Sequence, residues 1–241
     1  LPNSTYSLER VANYARRFIN RAPLTFADTN DPAFMIGDWV RNIVLAPPFA
    51  WRWNRATTTL ALTTGNQDYV KNLPTFGWLE SANVVDTVSV PNAAYRTEVA
   101  LNDEGEIVNN QPNRIGARID DGNGNITFRV MPPPTANFTV ANLTYQNASP
   151  KFSKLSDTWA PIPDYFQNII QEGFLAKMFQ YWDDSRYPST MTMFARSLVA
   201  ANGGLSQSQV NFFLADLLIN PLTQQNLTLS GQNATQSRSL V

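Results

Sequence analysis

The residues whose types could do chemistry in this chain are carboxylates. They fall in three places: the turn Asp120-Asp121-Gly122-Asn123-Gly124-Asn125, the pair Asp183-Asp184, and the cluster Glu98, Asp103, Glu104 and Glu106. The turn invites a calcium reading. Counted from Asp121, however, an EF-hand loop would put Ile126 where glycine is required and Pro132 where the bidentate glutamate belongs, so a hairpin turn accounts for it better. Asp183-Asp184 closes an aromatic helical segment, and a solvated helix end explains the pair at least as well as a metal does. A glycosidase pair cannot be read from Glu98, Asp103, Glu104 and Glu106, because such a pair is defined by the separation of its carboxyl groups.

Two absences narrow the chemistry further. The 241 residues include no Cys and no His. That excludes a disulfide framework, zinc ribbon, iron-sulfur cluster or thiol nucleophile, and also a Ser-His-Asp triad or imidazole metal site. The expectation is a protein that is not an enzyme and takes no cofactor or metal. The 18 basic and 19 acidic residues almost cancel, so no strong field draws in nucleic acid or an anionic membrane. Charged residues make up only 15% of the chain, which suits a surface that partners cover. No apolar run reaches the length of about 18 residues that a membrane helix needs, and the N-terminal residues lack the order of a secretory signal.

Aromatic residues offer another possible site. Trp51, Trp53, Tyr69 and Trp78 could form a stacking platform for sugars or bases. The competing reading, favoured here, makes Trp51 and Trp53 packing residues at a joint between helical and β segments. Arg52 and Arg55 stand nearly alone, so the basic stripe that would accompany nucleic-acid stacking is missing.

The elements that must position these residues follow from hydrophobic period. Leu8, Val11, Ala12, Ala15, Phe18 and Ile19 recur at helical spacing behind Ser7 as N-cap. A second helix opens at Asp31-Pro32, carries the stripe Met35, Ile36, Trp39, Val40, Ile43 and Val44, and stops at Pro47-Pro48. From Thr57 the period changes. "TTTLALTTGNQDYV" predicts a hairpin-like entry into a sheet, and strands are expected at residues 84–90, 95–101, 114–119, 126–131 and 138–145. The clearest hairpin is "RIGARIDDGNGNITFRVM". Short connections argue for antiparallel pairing throughout. Helix returns in "PDYFQNIIQEGFLAKMFQYW", where Gly173 marks a close helix contact. A helix over residues 189–201 ends at Gly203 or Gly204, and a last one opens on a capping box of Ser206 with Gln209 and ends at Asn220-Pro221.

The fold class expected is therefore α+β: a bundle of N- and C-terminal helices, residues 1–55 and 150–221, with an inserted antiparallel β sandwich or barrel at 56–149. Residues 222–241 should form an extended C-terminal arm, mobile alone and ordered in an assembly. In that arm Leu227 and Leu229 alternate with Thr228 as an edge strand would, and Leu227, Leu229, Arg238, Leu240 and Val241 are the expected interface residues.

The order of motifs is similar to that of a known family. An amphipathic start, "WRW", "TTTLALTTGNQDYVKNLP", "FGWLESANVV" and then "PIPDYFQNIIQEGFLAKMF" together resemble the head-to-tail adaptor proteins of tailed bacteriophages, of the tail tubular protein A type. The likeness spans residues 7 to about 200, with Thr75 in place of the usual acidic or polar residue after Leu73-Pro74. It implies a structural protein of the virion neck, assembled in the host cytoplasm. It further implies a homo-oligomeric ring of roughly twelve copies between the portal protein and the tail nozzle or tube, with genomic DNA passing only through its lumen and no membrane partner. A receptor- or glycan-binding tail component, or another phage neck or capsid-associated protein, is the alternative.

Overall fold

In a computed structural model of the 241-residue chain, residues 4–18, 32–86, 93–99 and 112–222 are described. They form five α-helices and seven β-strands, so the chain is α+β. Two compact units result. One comprises the described residues before Leu45 and after Ser149; the other is Leu45–Ser149.

The first unit holds the helices. In α1 (Leu8–Arg16), Ser7 adopts extended backbone and its hydroxyl accepts the Arg10 N–H, the cap that its position predicts. Leu8, Val11, Ala12 and Ala15 are buried, whereas Phe18 lies past the helix end and is exposed. α2 (Pro32–Leu45) buries Ile36, Val40 and Val44 but leaves Met35 exposed, so its stripe is narrower than the sequence suggests. α3 (Gln167–Tyr181) and α4 (Tyr187–Asn202) meet at Gly173, where a Cβ would stand 2.7 Å from a ring carbon of Phe194; only glycine allows that approach. Gly203 closes α4 in the left-handed conformation.

α5 (Gln207–Leu222) begins with the expected capping box. The Ser206 N–H donates to Gln209 Oε1 at 2.9 Å, and the Gln209 N–H donates back to Ser206 Oγ at 3.3 Å. The helix does not end at Asn220-Pro221 as expected but runs through both to Leu222. In a last turn the carbonyls already lack partners, so a proline there removes one bond rather than breaking the element.

The second unit is β. Its strands are β1 (Arg55–Ala61), β2 (Asp68–Asn72), β3 (Phe76–Asp86), β4 (Ala93–Val99), β5 (Arg114–Asp120), β6 (Asn125–Met131) and β7 (Phe138–Asn147), in the order β1-β7-β3-β4-β5-β6-β2. Side chains from both halves of this order share one core, including Leu60, Leu79, Val84, Ala141 and Leu143 with Tyr69, Ile115, Ile126, Phe128 and Val130. β4 joins the halves, pairing with β3 through residues 93–97 and with β5 through Glu98 and Val99.

Three sequence expectations fail in this unit. β1 and β2 do not form a hairpin: β1 pairs with β7, and β2 pairs with β6, at opposite ends of the strand order. Residues 62–67 carry the chain from one half to the other, through Leu62 N–H to Thr139 O at 2.7 Å and Val130 N–H to Gln67 O at 2.9 Å. This lets Leu60 and Tyr69 enter the core from different sides. Pairing is not antiparallel throughout, because β4 and β5 run parallel where they meet. Finally, β3 begins at Phe76 rather than Val84, with its register against β7 broken three times. The expected extension to Val90 lies outside the described residues.

Candidate functional site

The W-x-W segment is held within the Leu45–Ser149 unit by an interlocked set of amides and rings. Trp51 is 5% exposed and stacks between Phe49 and Trp53, with ring centres 5.7 and 5.6 Å away and near-parallel planes. The Trp51 N–H donates to Gln146 Oε1, and Gln146 Nε2 donates back to the Trp51 carbonyl, both at 3.2 Å. Gln146 is fully buried, and its amide also reaches Glu80 Oε2 at 2.7 Å; that carboxylate is in turn ion-paired with Arg55. One residue on, Asn54 Nδ2 donates to the Asn147 carbonyl at 2.9 Å while Asn147 Nδ2 donates to the Asn54 carbonyl at 2.7 Å. The segment is thus sewn to the end of β7, and a buried glutamine able both to donate and to accept holds it there.

This geometry removes the aromatic platform. Trp51 is in the core and Trp53 is half-buried. Tyr69 is buried, and its hydroxyl accepts the Thr63 N–H and donates to the Asn66 carbonyl at 2.9 Å. Trp78 is half-buried and gives its indole N–H to the Leu45 carbonyl at 3.2 Å. Such rings serve packing rather than an exposed stacking surface.

Asp120, Asp121 and Asp184 are likewise occupied, Asp120 accepting the Gly122 N–H at 2.9 Å. Asp121 accepts the N–H groups of Asn123 and Asn125 at 2.8 and 3.0 Å and the Asn125 side-chain amide at 2.8 Å, and this last bond above all holds its pKa below the usual carboxylate range. The turn closes on itself, with Gly124 at φ +85° and its carbonyl accepting the Leu73 N–H. Asp184 pairs with Arg186 at 2.7 Å beyond the end of α3. Glu98 lies on β4, while Asp103, Glu104 and Glu106 lie outside the described residues. Among the described residues no group of three potential ligands could hold a metal ion, and no helix is long and apolar enough to cross a membrane.

A charged cluster that sequence reasoning passed over lies in the helical unit. The carboxylate of Asp164 accepts from Ser4 Oγ at 2.9 Å, from Thr5 Oγ1 at 2.7 Å and from the N–H groups of Thr5 and Tyr6. The Thr5 hydroxyl contributes most to holding its pKa below the ordinary value. Residues 4–9 are bound further along their length: Trp159 N–H donates to the Tyr6 carbonyl, Leu8 N–H to that of Asp157 and Glu9 N–H to that of Leu155. The signal was present in "PIPDY", where an acid stands before a helix, but its partner lies about 160 residues away and has no local trace.

Other exposed features suit contact with partners. Across β2, β6 and β5, Val70, Thr127 and Ile119 form one cross-strand row, with Val70 67% and Ile119 53% exposed. Ile119 faces outward because the register shifts between it and Ala117. Phe212 on α5 is 75% exposed. The expected interface residues Leu227, Leu229, Arg238, Leu240 and Val241 lie outside the described residues.

A family model for SU10 adaptor proteins matches residues 7–215. The chain belongs to that family. The match runs from the N-cap of α1 into α5, so the SU10 adaptor family covers both compact units, the helical one and the β one. Membership makes the chain a bacteriophage adaptor, a structural protein. No curated protein matches the chain.

Proposed function

We propose that this adaptor closes into a homo-oligomeric ring of roughly twelve copies at the virion neck, between the portal protein and the tail nozzle or tube, with the genome passing through its lumen. The observation that carries this reading is the family match across both units. The narrower likeness to the tail tubular protein A type rests on motif order alone. In this reading the domain-joint residues Trp51 and Trp53 have a structural role, fastening the start of the β unit to the end of β7. Residues 222–241 form an arm whose Leu227, Leu229, Arg238, Leu240 and Val241 contact the next component. A glycan-binding role has less support, since three of the four rings it would use are buried or engaged through their polar atoms.

The test is native mass measurement of the purified chain, alone and mixed with the portal of its phage. A closed oligomer is expected at least in the mixture, because a heterologous interface can require a template to close. A chain that stays monomeric beside its portal would overturn the ring.

A further inference from the structure

The two ends of the strand order are built differently. β2, at one end, carries Asp68, which is ion-paired with Arg129 at 2.7 Å and lies 3.7 Å from Arg118. A strand edge dressed with charge resists further pairing. β1, at the other end, pairs with β7 from Arg55↔Gln146 to Ala61↔Val140 without a bulge, and no charged residue lies between Arg55 and Asp68. The direction of its free backbone groups follows from one bond. Leu62 N–H donates to Thr139 O at 2.7 Å, which continues the register and makes that position a hydrogen-bonded pair. Antiparallel pairing alternates, so Ala56, Thr58 and Leu60 turn their N–H and C=O groups to β7, while those of Arg55, Thr57, Thr59 and Ala61 point away from it. The side chains of these four are exposed, and among the described residues no strand pairs with this outer edge.

We propose that the outer edge of β1 binds the same edge of a second copy of this chain, the two strands running antiparallel about a twofold axis at Thr58. That register aligns the whole of β1 with itself: Arg55 faces Ala61 and Thr57 faces Thr59, each in both directions. Every residue whose backbone groups point outward then meets another of the same kind, so each such pair exchanges both of its hydrogen bonds. The occupant follows from charge. A charged strand would find no counter-charge between Ala56 and Ala61, whereas β1 meets itself neutral to neutral, and the two Arg55 side chains fall at opposite ends of the pair. On the exposed face the facing residues are threonines, a favourable cross-strand pair, and both belong to a type that fits strands. Such a contact is isologous and ends at two copies. It is therefore distinct from the contact that would close a ring, and it covers the β1 edge in the free adaptor.

The absence of native cysteine makes the test direct. Full-length Thr57→Cys and full-length Thr59→Cys chains are mixed and oxidised. In the proposed register these positions face one another with Cα atoms about 5.5 Å apart, within the span of a disulfide. Ala61→Cys alone is the control, because its counterpart would lie roughly 20 Å away along the second strand. The expected result is a disulfide-linked pair containing one chain of each variant, and none from Ala61→Cys. Native mass across a range of protein concentrations should show the wild-type chain forming dimers. A Thr57→Lys, Thr59→Lys chain sets lysines opposite one another on exposed positions, so it should stay monomeric at an unchanged melting temperature, while Val70→Lys on β2 should dimerise as the wild type does. A wild-type chain that is monomeric at every concentration would overturn the pairing. Dimers that survive the two lysines would place the contact away from β1 and overturn it equally, and a cross-link through Ala61→Cys alone would overturn the register. The ring is read separately, from the mixture with the portal, so it stands or falls on its own.

Discussion

Arg41 is almost fully buried, yet no carboxylate forms an ion pair with it among the described residues. Its guanidinium lies over the Phe152 ring, 3.5 Å from the ring centre, and donates to the carbonyls of Pro150 and Thr158 at 2.9 and 2.6 Å. Burial pushes its pKa down to about 10, while Asp38 and Asp157 pull the other way, so it remains charged at neutral pH. The side chain pins the segment that leads back from the β unit to α2. Arg41→Ala should lower stability by roughly 2–5 kcal/mol, from lost packing and two carbonyls left without their donor. Arg41→Lys should recover part of this, since an ammonium has donors but lacks the planar fork. Urea unfolding checks both, and an alanine variant as stable as the wild type would show that the pinning is dispensable. Trp51→Ala should cost roughly 3–5 kcal/mol as a fully buried aromatic, and Trp53→Ala less, because Trp53 is only half-buried. Asp164 gives a pH-dependent case. Its folded pKa is depressed, so the stability it adds is present above the unfolded value of about 4 and is lost as pH falls through the lower folded value. Asp164→Ala should speed hydrogen exchange at the Thr5 and Tyr6 amides at neutral pH, as acid does in the wild type. Unchanged protection in the variant would count against that carboxylate as their anchor.

Elements were legible in proportion to how local their determinants are. The cap at Ser7, the capping box at Ser206 and Gln209, and the hairpin of β5 and β6 all depend on residues within a few positions of one another, and each appears where its pattern stands. The close contact at Gly173 was legible because a glycine inside an apolar helical face needs a reason, and Phe194 supplies it. β3 was not, because its register breaks place Glu80, Ser81 and Asn83 where alternation would put apolar residues. The partners of β1 and β2 were hidden for a related reason: β7 lies about 80 residues from β1 and β6 about 60 from β2, and pairing over such distances leaves no periodic mark. For the candidate site, both Trp51 and Trp53 were expected to pack inward; Trp51 is buried and Trp53 half-buried, and the buried Gln146 that grips Trp51 left no local sign in the sequence. Gly124→Ala tests the hairpin turn. A Cβ there would lie 2.8 Å from Pro74 Cα on backbone already at φ +85°, so a loss of about 1–3 kcal/mol is expected in thermal or urea unfolding. An unchanged midpoint would mean that Pro74 moves aside without cost.

At the scale of the whole molecule the decisive property is how little charge is left for partners. Only 15% of residues are charged. Several of those are spent inside the chain: Arg55 on Glu80, Asp68 on Arg129, Arg186 on Asp184, and Arg41 within the core. An assembly built from such a protomer must draw on apolar contact and backbone or amide hydrogen bonds more than on ion pairs between copies, and those forces are weakly screened. Raising salt from about 0.01 to about 1 M shortens the Debye length from about 30 Å to about 3 Å, which would strip an interface made of exposed ion pairs. The proposed oligomer should therefore keep its size across that range, and excluded salts such as sulfate should favour it further by strengthening apolar burial. Light scattering during a salt titration reads the outcome. Dissociation at high salt would place the copies' contacts on the charged residues, above all the Asp68, Arg118 and Arg129 cluster beside β2.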